Sequence, residues 1–271
     1  MIEREQAPVG VDPTVPSVAR IYDHLLGGKD NFAADREAAA QIVRLSPNAK
    51  DAARANRAFL GRAVRALAEI GIDQYLDIGT GLPTQDNVHQ VARRSGVASK
   101  VVYVDNDPIV LTHARALLAD TPDTIVVKGD MREPKAILGH PEVAAHLDFR
   151  RPLAVLMVAV LHFLPDDEQV QGIIRTIRDS VPSGSYLVIS HVTAGELDRE
   201  VVAEGRRLYS KTTAGNVTLR GRNQVAALFE GLELLEPGLV AANDWRGDVA
   251  LDPSISGPGG VGVLCGVGRV P

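Results

Sequence analysis

Two short apolar segments, each ending near an acidic residue, constrain the fold of this chain more than any other feature. The first, residues 75–81, passes from Asp77 into a Gly-Thr-Gly turn at 79–81, and the second, residues 100–105, ends at Asp105. Glycines let backbone N–H groups approach a ligand closely, and a carboxylate at the next strand end can accept both hydroxyls of a ribose. The pair predicts a sheet whose strand ends form a pocket for a nucleoside cofactor.

The same residues distinguish between two classes of cofactor. A dinucleotide fingerprint needs a small residue three positions after the second glycine, where this chain has Thr84 preceded by Pro83. Asp77 would also repel a pyrophosphate. S-adenosylmethionine carries an ammonium, a sulfonium and a free ribose, which suit acidic residues at both strand ends. The pattern favours S-adenosylmethionine and methyl transfer, and NAD-dependent hydride transfer is the alternative.

Later strand ends extend the candidate pocket. Asp130 follows the third strand and is expected to accept the adenine amino group, with Met131 packed on the ring; the alternative is a cap for the helix beyond Pro134. The apolar fourth strand ends near His162, which is as readily a structural residue as a base. The cofactor-binding residues predicted from the strand ends are Asp77, Gly79, Thr80, Gly81, Asp105, Asn106, Asp130, Met131, Ala159, Val160 and His162.

Three segments carry a resemblance to a known family. The N-terminal block 19–32, the turn 77–84 and the segment 102–108 look like those of the actinobacterial S-adenosylmethionine-dependent methyltransferases once listed as a domain of unknown function, and the likeness continues through 161–164. It covers nearly the whole chain after residue 16. The resemblance implies a Rossmann-like fold and binding of S-adenosylmethionine, and it implies no particular acceptor.

The N-terminal block is too polar and irregular for a plain core, and we expect it to fold over the cofactor as a lid. Tyr22, Gly28 and Asn31 are then expected to contact the methionine end. Methyl transfer mainly requires acceptor, methyl group and sulfur to be aligned and water to be excluded. A base is needed only if the acceptor loses a proton, and His162 and Tyr22 are the candidates.

The pattern after Ile72 alternates apolar strands with helices, which is typical of a mostly parallel sheet covered on both faces. It predicts an α/β fold, a Rossmann-like seven-stranded class I methyltransferase sheet with an N-terminal helical lid. The predicted parts are a flexible tail 1–16, a helical lid 17–71 and a Rossmann-like domain 72–271. The predicted strands are 73–78, 100–104, 124–128, 153–159, 185–190, 232–236 and 261–267, with a last hairpin turn at 254–262. The predicted helices are 17–26, 33–44, 50–70, 84–95, 107–119, 135–146, 166–180 and 195–211.

Composition limits the classes of function. A formal net charge of −5 and 4% aromatic residues argue against a nucleic-acid partner. No apolar run is long enough to span a bilayer and the N-terminus lacks the regions of a signal peptide, so we expect a cytoplasmic protein without a membrane partner. Cys265 is the single cysteine, and the seven histidines are scattered, so no metal site is expected.

A basic segment is the candidate for contacts with an acceptor. The default interpretation is a solvated helix face, and the alternative is that this segment, with Tyr209 and the pair Trp245-Arg246, roofs a pocket for an anionic or aromatic small molecule. A small-molecule acceptor is the expected partner, and a non-catalytic cofactor-binding regulator is a further alternative. The basic residues are Arg199, Arg206, Arg207, Lys211, Arg220 and Arg222.

Overall fold

The computed structural model describes residues 11–83, 86–118, 121–195, 197–247 and 261–271. Most of the predicted tail and of the predicted turn at 254–262 lies outside these ranges. Within them, none of the helices is both long and apolar enough to cross a membrane.

Eight strands in the described part of the chain form one sheet, in the order β3-β2-β1-β4-β5-β8-β6, with β7 also paired to β8. Neighbours among β1 to β5 are parallel, whereas β8 is antiparallel to β5, β6 and β7. The strands are β1 (Gln74–Ile78), β2 (Lys100–Asp105), β3 (Thr124–Lys128), β4 (Ala154–Val158), β5 (Tyr186–Thr193), β6 (Glu233–Leu234), β7 (Val240–Ala241) and β8 (Gly262–Arg269). The α/β class and the Rossmann-like sheet are as predicted, with β7 as an additional strand.

Helices precede the sheet and connect its strands. A 3₁₀ turn, Leu161–Phe163, follows β4 directly. The α-helices are α1 (Val18–Leu25), α2 (Ala33–Leu45), α3 (Ala49–Glu69), α4 (Val88–Arg94), α5 (Pro108–Leu118), α6 (Pro134–Leu138), α7 (Pro141–His146), α8 (Asp167–Arg178), α9 (Arg199–Tyr209) and α10 (Arg222–Ala227).

The sheet is covered on both faces because successive side chains of a strand point to opposite sides. Leu76 and Ile78 of β1 belong to one apolar cluster, whereas Tyr75 belongs to the other, with residues of α3 and α4. Asp77 shares the Tyr75 side of the strand, so its carboxyl faces α3. The buried core therefore fixes which side of the sheet each site residue faces.

The N-terminal helices are attached to the sheet ends by buried polar contacts. The Arg20 guanidinium pairs with the Asp35 carboxylate at 2.7 Å, and both side chains are almost fully buried. Ser17 precedes α1 but makes no side-chain cap; its hydroxyl donates to Asp107 at the start of α5. Val11 and Phe32 pack against Leu82, Ile109 and Val110 beside the strand ends. These contacts place α1 over the carboxyl ends of the strands.

Two differences from the predicted helices have local causes. The helix predicted over 135–146 is divided at 139–140, because Pro141 disfavours helical backbone at the preceding residue and begins a second helix. The helix predicted from 84 begins at Val88, where the Gln90 side chain accepts the N–H of Asn87. Thr84, the first residue of the predicted helix, lies outside the described residues. The short α10 was not predicted.

Candidate functional site

A cavity of about 720 Å³ lies at the carboxyl ends of β1 to β5, beneath helices α1, α3 and α9. Its volume is typical of sites for small molecules and cofactors, about 300–1,000 Å³. Twelve of the residues predicted to bind the cofactor line its wall. They are Tyr22, Asp77, Gly79, Thr80, Gly81, Asp105, Asn106, Asp130, Met131, Ala159, Val160 and His162.

The turn after β1 needs glycine for two separate reasons. Gly79 and Gly81 have φ angles of 76° and 66°, in the left-handed region that side chains disfavour. A Cβ on Gly79 would also lie 2.4 Å from Cγ2 of Val160, so backbone and β4 loop approach each other closely here. The Thr80 hydroxyl donates to the carbonyl oxygen of Asp77 and braces the turn.

Asp77 is the acidic group at the centre of the site, and its side chain is buried. Burial raises the pKa of its carboxyl, the Arg57 guanidinium lowers it and Asp105 raises it, and the net result is a pKa of about 7. Relative to the usual 3.8, this disfavours the carboxylate by about 4 kcal/mol. A cationic ligand group placed beside Asp77 would offset this cost.

Asp105 joins the end of β2 to the glycine turn. Its Oδ2 accepts the N–H of Gly81 at 2.9 Å and its Oδ1 accepts the N–H of Asp107 at 2.9 Å. Asp107 in turn caps α5 by accepting the N–H of Ile109. Burial raises the pKa of the Asp105 carboxyl despite these two donors. A carboxylate has about four acceptor positions, so capacity is left for ribose hydroxyls.

Asp130 has a close basic partner. The Nε of Arg132 donates to both of its carboxylate oxygens at 2.9 Å, and hydrogen bonding by Arg132 lowers the pKa of Asp130. The carboxylate does not cap α6, whose N-cap is Glu133. Met131 lies beside it with its side chain against the core. An adenine amino group would therefore meet an ionised carboxylate that Arg132 already holds in place.

The end of β4 has a strained residue stabilised by a buried hydrogen-bond chain. Ala159 has a φ of 55°, which costs a non-glycine residue on the order of 1–3 kcal/mol. Its N–H donates to Oγ of Ser190, and that hydroxyl donates to Oδ1 of Asn56 at 2.5 Å. Nδ2 of Asn56 donates in turn to the Tyr22 hydroxyl, which donates to the carbonyl of Ala53. The chain connects the wall of the cavity at β4 to α1 and α3.

His162 lies in the 3₁₀ turn after β4 with 5% of its surface exposed. Its Nδ1 is buried and has no hydrogen-bond partner within the described residues. Burial lowers the pKa of its imidazole well below the usual 6.5, and His191 and Arg220 lower it further. The ring is therefore neutral at physiological pH.

Arg220 fixes the turn that contains His162. Its guanidinium donates to the carbonyls of Leu161 and Leu164, pairs with Asp167 at 2.7 Å and contacts Nε2 of His191 at 3.0 Å. Because a guanidinium can only donate, Nε2 of His191 accepts, and its Nδ1–H donates to the carbonyl of the next residue. Arg220 is buried, so the interpretation of this residue as part of a solvated helix face is wrong.

The basic segment contributes only one side chain to the cavity. Arg206 of α9 lines it, together with Tyr209 of the same helix. Arg199, Arg207, Lys211 and Arg222 have exposed side chains elsewhere. The alternative that the pair Trp245-Arg246 roofs an acceptor pocket is also wrong, because the Trp245 ring is fully buried against Phe59, with Arg246 stacked on it.

Gly28 and Asn31 do not lie on the wall of the cavity, in contrast to the prediction. Both fold around the carboxylate of Asp23, to which Nδ2 of Asn31 donates at 2.9 Å. A Cβ on Gly28 would lie 1.9 Å from Oδ1 of the same carboxylate. This nearby acceptor binds the N–H of Asp30 and the amide of Asn31 within the N-terminal block itself.

Three polar residues of the site were not predicted: Asn56 and Ser190, which are buried, and Arg57, which is partly buried. Asn56 lies on the apolar stripe of α3, three residues before Phe59 and four before Leu60. A polar residue at a position whose helical neighbours are apolar is a signal for a buried hydrogen bond. Ser190 gives no such signal, because a serine in an apolar strand is compatible with many environments.

The strand order, the antiparallel β8 beside β5 and the acidic strand ends around one cavity define the Rossmann-like class I methyltransferases. The sequence matches the family model described as S-adenosyl methyltransferase over residues 4–271, and the chain belongs to that family. S-adenosylmethionine is the family's cofactor, as predicted, and the resemblance to the actinobacterial family is confirmed.

Two solved structures are similar to this chain over almost its full length. A candidate methyltransferase from Thermobifida fusca YX is 41% identical, with 97% of this chain and 98% of that chain covered and a TM-score of 0.89. A DUF574 family protein from Streptomyces avermitilis MA-4680 is 40% identical, with 96% and 99% covered and a TM-score of 0.87. No curated protein matches the sequence.

Proposed function

We propose that this protein transfers the methyl group of S-adenosylmethionine to a small-molecule acceptor. The observation that carries the proposal is the pair of carboxylates at the ends of adjacent strands around one cavity, Asp77, which is buried, and Asp105, which is partly buried. Together they suit a ligand with a cationic end and a ribose. The size of the cavity supports a small acceptor.

Each part of the cofactor has a group that suits it. Asp77 would bind the amino group and Asp105 the ribose, and the glycine turn 79–81 would let the backbone approach the cofactor closely. Asn106, Asp130 and Met131 would surround the adenine. Ala159 and Val160 would contact the cofactor from the end of β4.

The proposed roles of the two candidate bases differ. Tyr22 donates its proton to the carbonyl of Ala53, and burial raises its pKa, so its hydroxyl suits a structural role in the chain to Ser190. The neutral imidazole of His162 suits hydrogen bonding to an acceptor.

We infer that residues 17–71 act as a lid that excludes water above the methyl group. The cytoplasmic location stays a prediction.

The chemistry of the reaction places modest demands on the protein. The sulfonium supplies an activated methyl group when the cofactor is bound. The residues then need to hold the acceptor in line with the methyl–sulfur bond and keep water away, which is catalysis by proximity and orientation. His162, at the end of the central strand β4, would receive a proton from an acceptor that carries one.

Calorimetric titration of the wild type and of two variants tests the proposal. Asp105→Asn should weaken S-adenosylhomocysteine binding by about 10- to 100-fold, because it removes a charged acceptor of hydrogen bonds. The same variant should weaken the binding of adenosine by a similar factor. Asp77→Asn should weaken the binding of S-adenosylhomocysteine but leave the affinity for adenosine unchanged, because adenosine has no amino acid end.

Two results would contradict the proposal. One is S-adenosylhomocysteine affinity that neither variant changes. The other is tight binding of NAD by a protein that does not bind S-adenosylmethionine. Asp51→Asn is the control for a general charge effect, since the Asp51 side chain on α3 is 46% exposed and pairs with Arg54 at the surface.

A further inference from the structure

The part of the cavity wall formed after β4 and β5 differs chemically from the part formed after β1 to β3. The strand order β3-β2-β1-β4-β5 places these two parts side by side along the sheet edge. Asp77, Asp105 and Asp130 lie on the β1 to β3 side. Among the described wall residues after 157, only Arg206 carries a charge, and its side chain is exposed. A ligand next to the cofactor therefore meets an almost uncharged surface.

Aromatic rings form the centre of this surface. The centroid of the Phe163 ring lies 4.3 Å from that of His162 and 6.1 Å from that of Tyr209. Val201 and Val202 of α9 and Leu219 add aliphatic wall. Offset and edge contacts between aromatic rings stabilise a complex beyond the effect of buried area, so a planar ring fits this surface best.

Two neutral polar groups reach the same surface. Burial raises the pKa of the Tyr209 hydroxyl to about 12, so the hydroxyl keeps its proton, and it has no hydrogen-bond partner in the described part of the chain. His162 is neutral, and its Nδ1 is unpartnered there. The Tyr209 hydroxyl and the neutral imidazole of His162, whose Nδ1 is itself buried, are thus two polar groups that this part of the wall presents to a ligand.

The absence of a paired charge discriminates among acceptors. A protonated amine would lose its hydration without gaining a carboxylate on this part of the wall, and a carboxylate would meet only the exposed Arg206. A hydroxyl avoids both costs. A phenolic hydroxyl also loses its proton more readily than an aliphatic one, since its pKa is about 10.

We propose that the acceptor is an uncharged aromatic compound whose phenolic hydroxyl faces His162 and whose ring contacts Phe163 and Tyr209. This inference rests on the proposed function. The phenol oxygen forms a bond to the methyl carbon and displaces the sulfur, which keeps the electron pair of the broken bond. The hydroxyl proton passes to the imidazole and then to solvent. The products are an aryl methyl ether, S-adenosylhomocysteine and a proton.

Three naphthalene compounds of similar size test the acceptor class on the full-length protein. Calorimetry in saturating S-adenosylhomocysteine compares 2-naphthol, 2-naphthoate and the cation 2-naphthylmethylammonium. We expect 2-naphthol to bind at least about 10-fold more tightly than either charged compound, and to be converted to 2-methoxynaphthalene with S-adenosylmethionine. Equal or tighter binding of a charged compound, or no binding of 2-naphthol, would overturn the inference.

Variants identify the contacts. Tyr209→Phe removes only the hydroxyl and Phe163→Leu removes only the aromatic ring. Each variant should weaken the binding of 2-naphthol about 2- to 10-fold. Both should leave S-adenosylhomocysteine affinity unchanged. Arg207→Gln, on an exposed position of α9, is the control and should change neither affinity. Unchanged 2-naphthol affinity in both wall variants would overturn the placement of the ring.

The two proposals fail in different ways. If S-adenosylhomocysteine does not bind, the proposed function is wrong. If it binds, and methyl groups are transferred to amines or carboxylates but not to 2-naphthol, the proposed function holds and the acceptor class is wrong.

Discussion

Asp77 is expected to make cofactor binding depend on pH. Its pKa of about 7 means that only part of the population is ionised at pH 6, whereas an ammonium ligand binds the carboxylate. The dissociation constant for S-adenosylhomocysteine should fall about fivefold between pH 6 and pH 7, with release of a proton. Above pH 8 the ligand's own amino group deprotonates and binding should weaken again. Calorimetry in buffers of different ionisation enthalpy measures both effects.

Asp77→Asn provides the control for this pH dependence, because the amide does not titrate. The variant should bind S-adenosylhomocysteine more weakly than the wild type at pH 7, and its dissociation constant should not change between pH 6 and pH 7. The same carboxyl affects folding stability in the opposite direction: a rise in pH strengthens ligand binding but lowers stability. Between pH 3.8 and about 7 the folded state holds the proton more tightly than the unfolded state, so the wild type loses stability as pH rises through that window. A pH profile of binding identical in both proteins would exclude Asp77 as the cause.

Gly79 is the glycine whose replacement should affect stability most directly. In Gly79→Ala, the Cβ meets the Val160 side chain in a backbone conformation with φ of 76°, so we expect a loss of about 2–4 kcal/mol in the free energy of unfolding. Urea denaturation measures it. Gly61→Ala is the matched control: Gly61 lies within α3 with open space around its Cα, so the change should stabilise by about 0.5–1 kcal/mol.

At the scale of elements, the 3₁₀ turn after β4 depends on one buried guanidinium. Arg220→Lys keeps the charge but cannot donate to Leu161, Leu164 and Asp167 in the same geometry. Leaving one or two buried carbonyls unpaired should cost about 2–4 kcal/mol of stability. Asp167→Asn should cost less than about 1 kcal/mol, because Asp167 is half exposed. Similar losses in both variants would assign the effect to the ion pair instead of the carbonyls.

The sequence predicted the elements better than the contacts between them. Apolar strands such as 154–158 and the glycine turn at 79–81 are local patterns, so β1 to β5 and many residues of the cavity wall could be located. Asn56 and Ser190 are 134 positions apart, and nothing local indicates that they hydrogen-bond. The sequence predicts that Gly28 and Asn31 contact the cofactor, whereas the structure places them around Asp23. In the sequence, Asp23 is indistinguishable from a solvated carboxylate.

At the scale of the whole molecule, the cavity is a junction between two parts of the chain. Its wall includes residues of α1 and α3 as well as the strand ends, and the chain from Tyr22 through Asn56 to Ser190 crosses between them. A ligand that contacts both parts stabilises the junction in proportion to its occupancy. Cofactor binding should therefore be visible in the N-terminal helices, far along the sequence from the glycine turn.

Hydrogen exchange measures this coupling. Saturating S-adenosylhomocysteine should slow amide exchange in α1, in the turn 79–81 and at the end of β4, because opening any of them then requires release of the ligand. Peptides from α8 and β6, which do not line the cavity, should change least. In Asn56→Ala the connection to Ser190 is lost, so protection should persist at the turn 79–81 but decrease in α1. Equal protection of α1 in wild type and variant would mean that apolar packing with α2 and α9, and not the hydrogen-bond chain, couples the lid to the site.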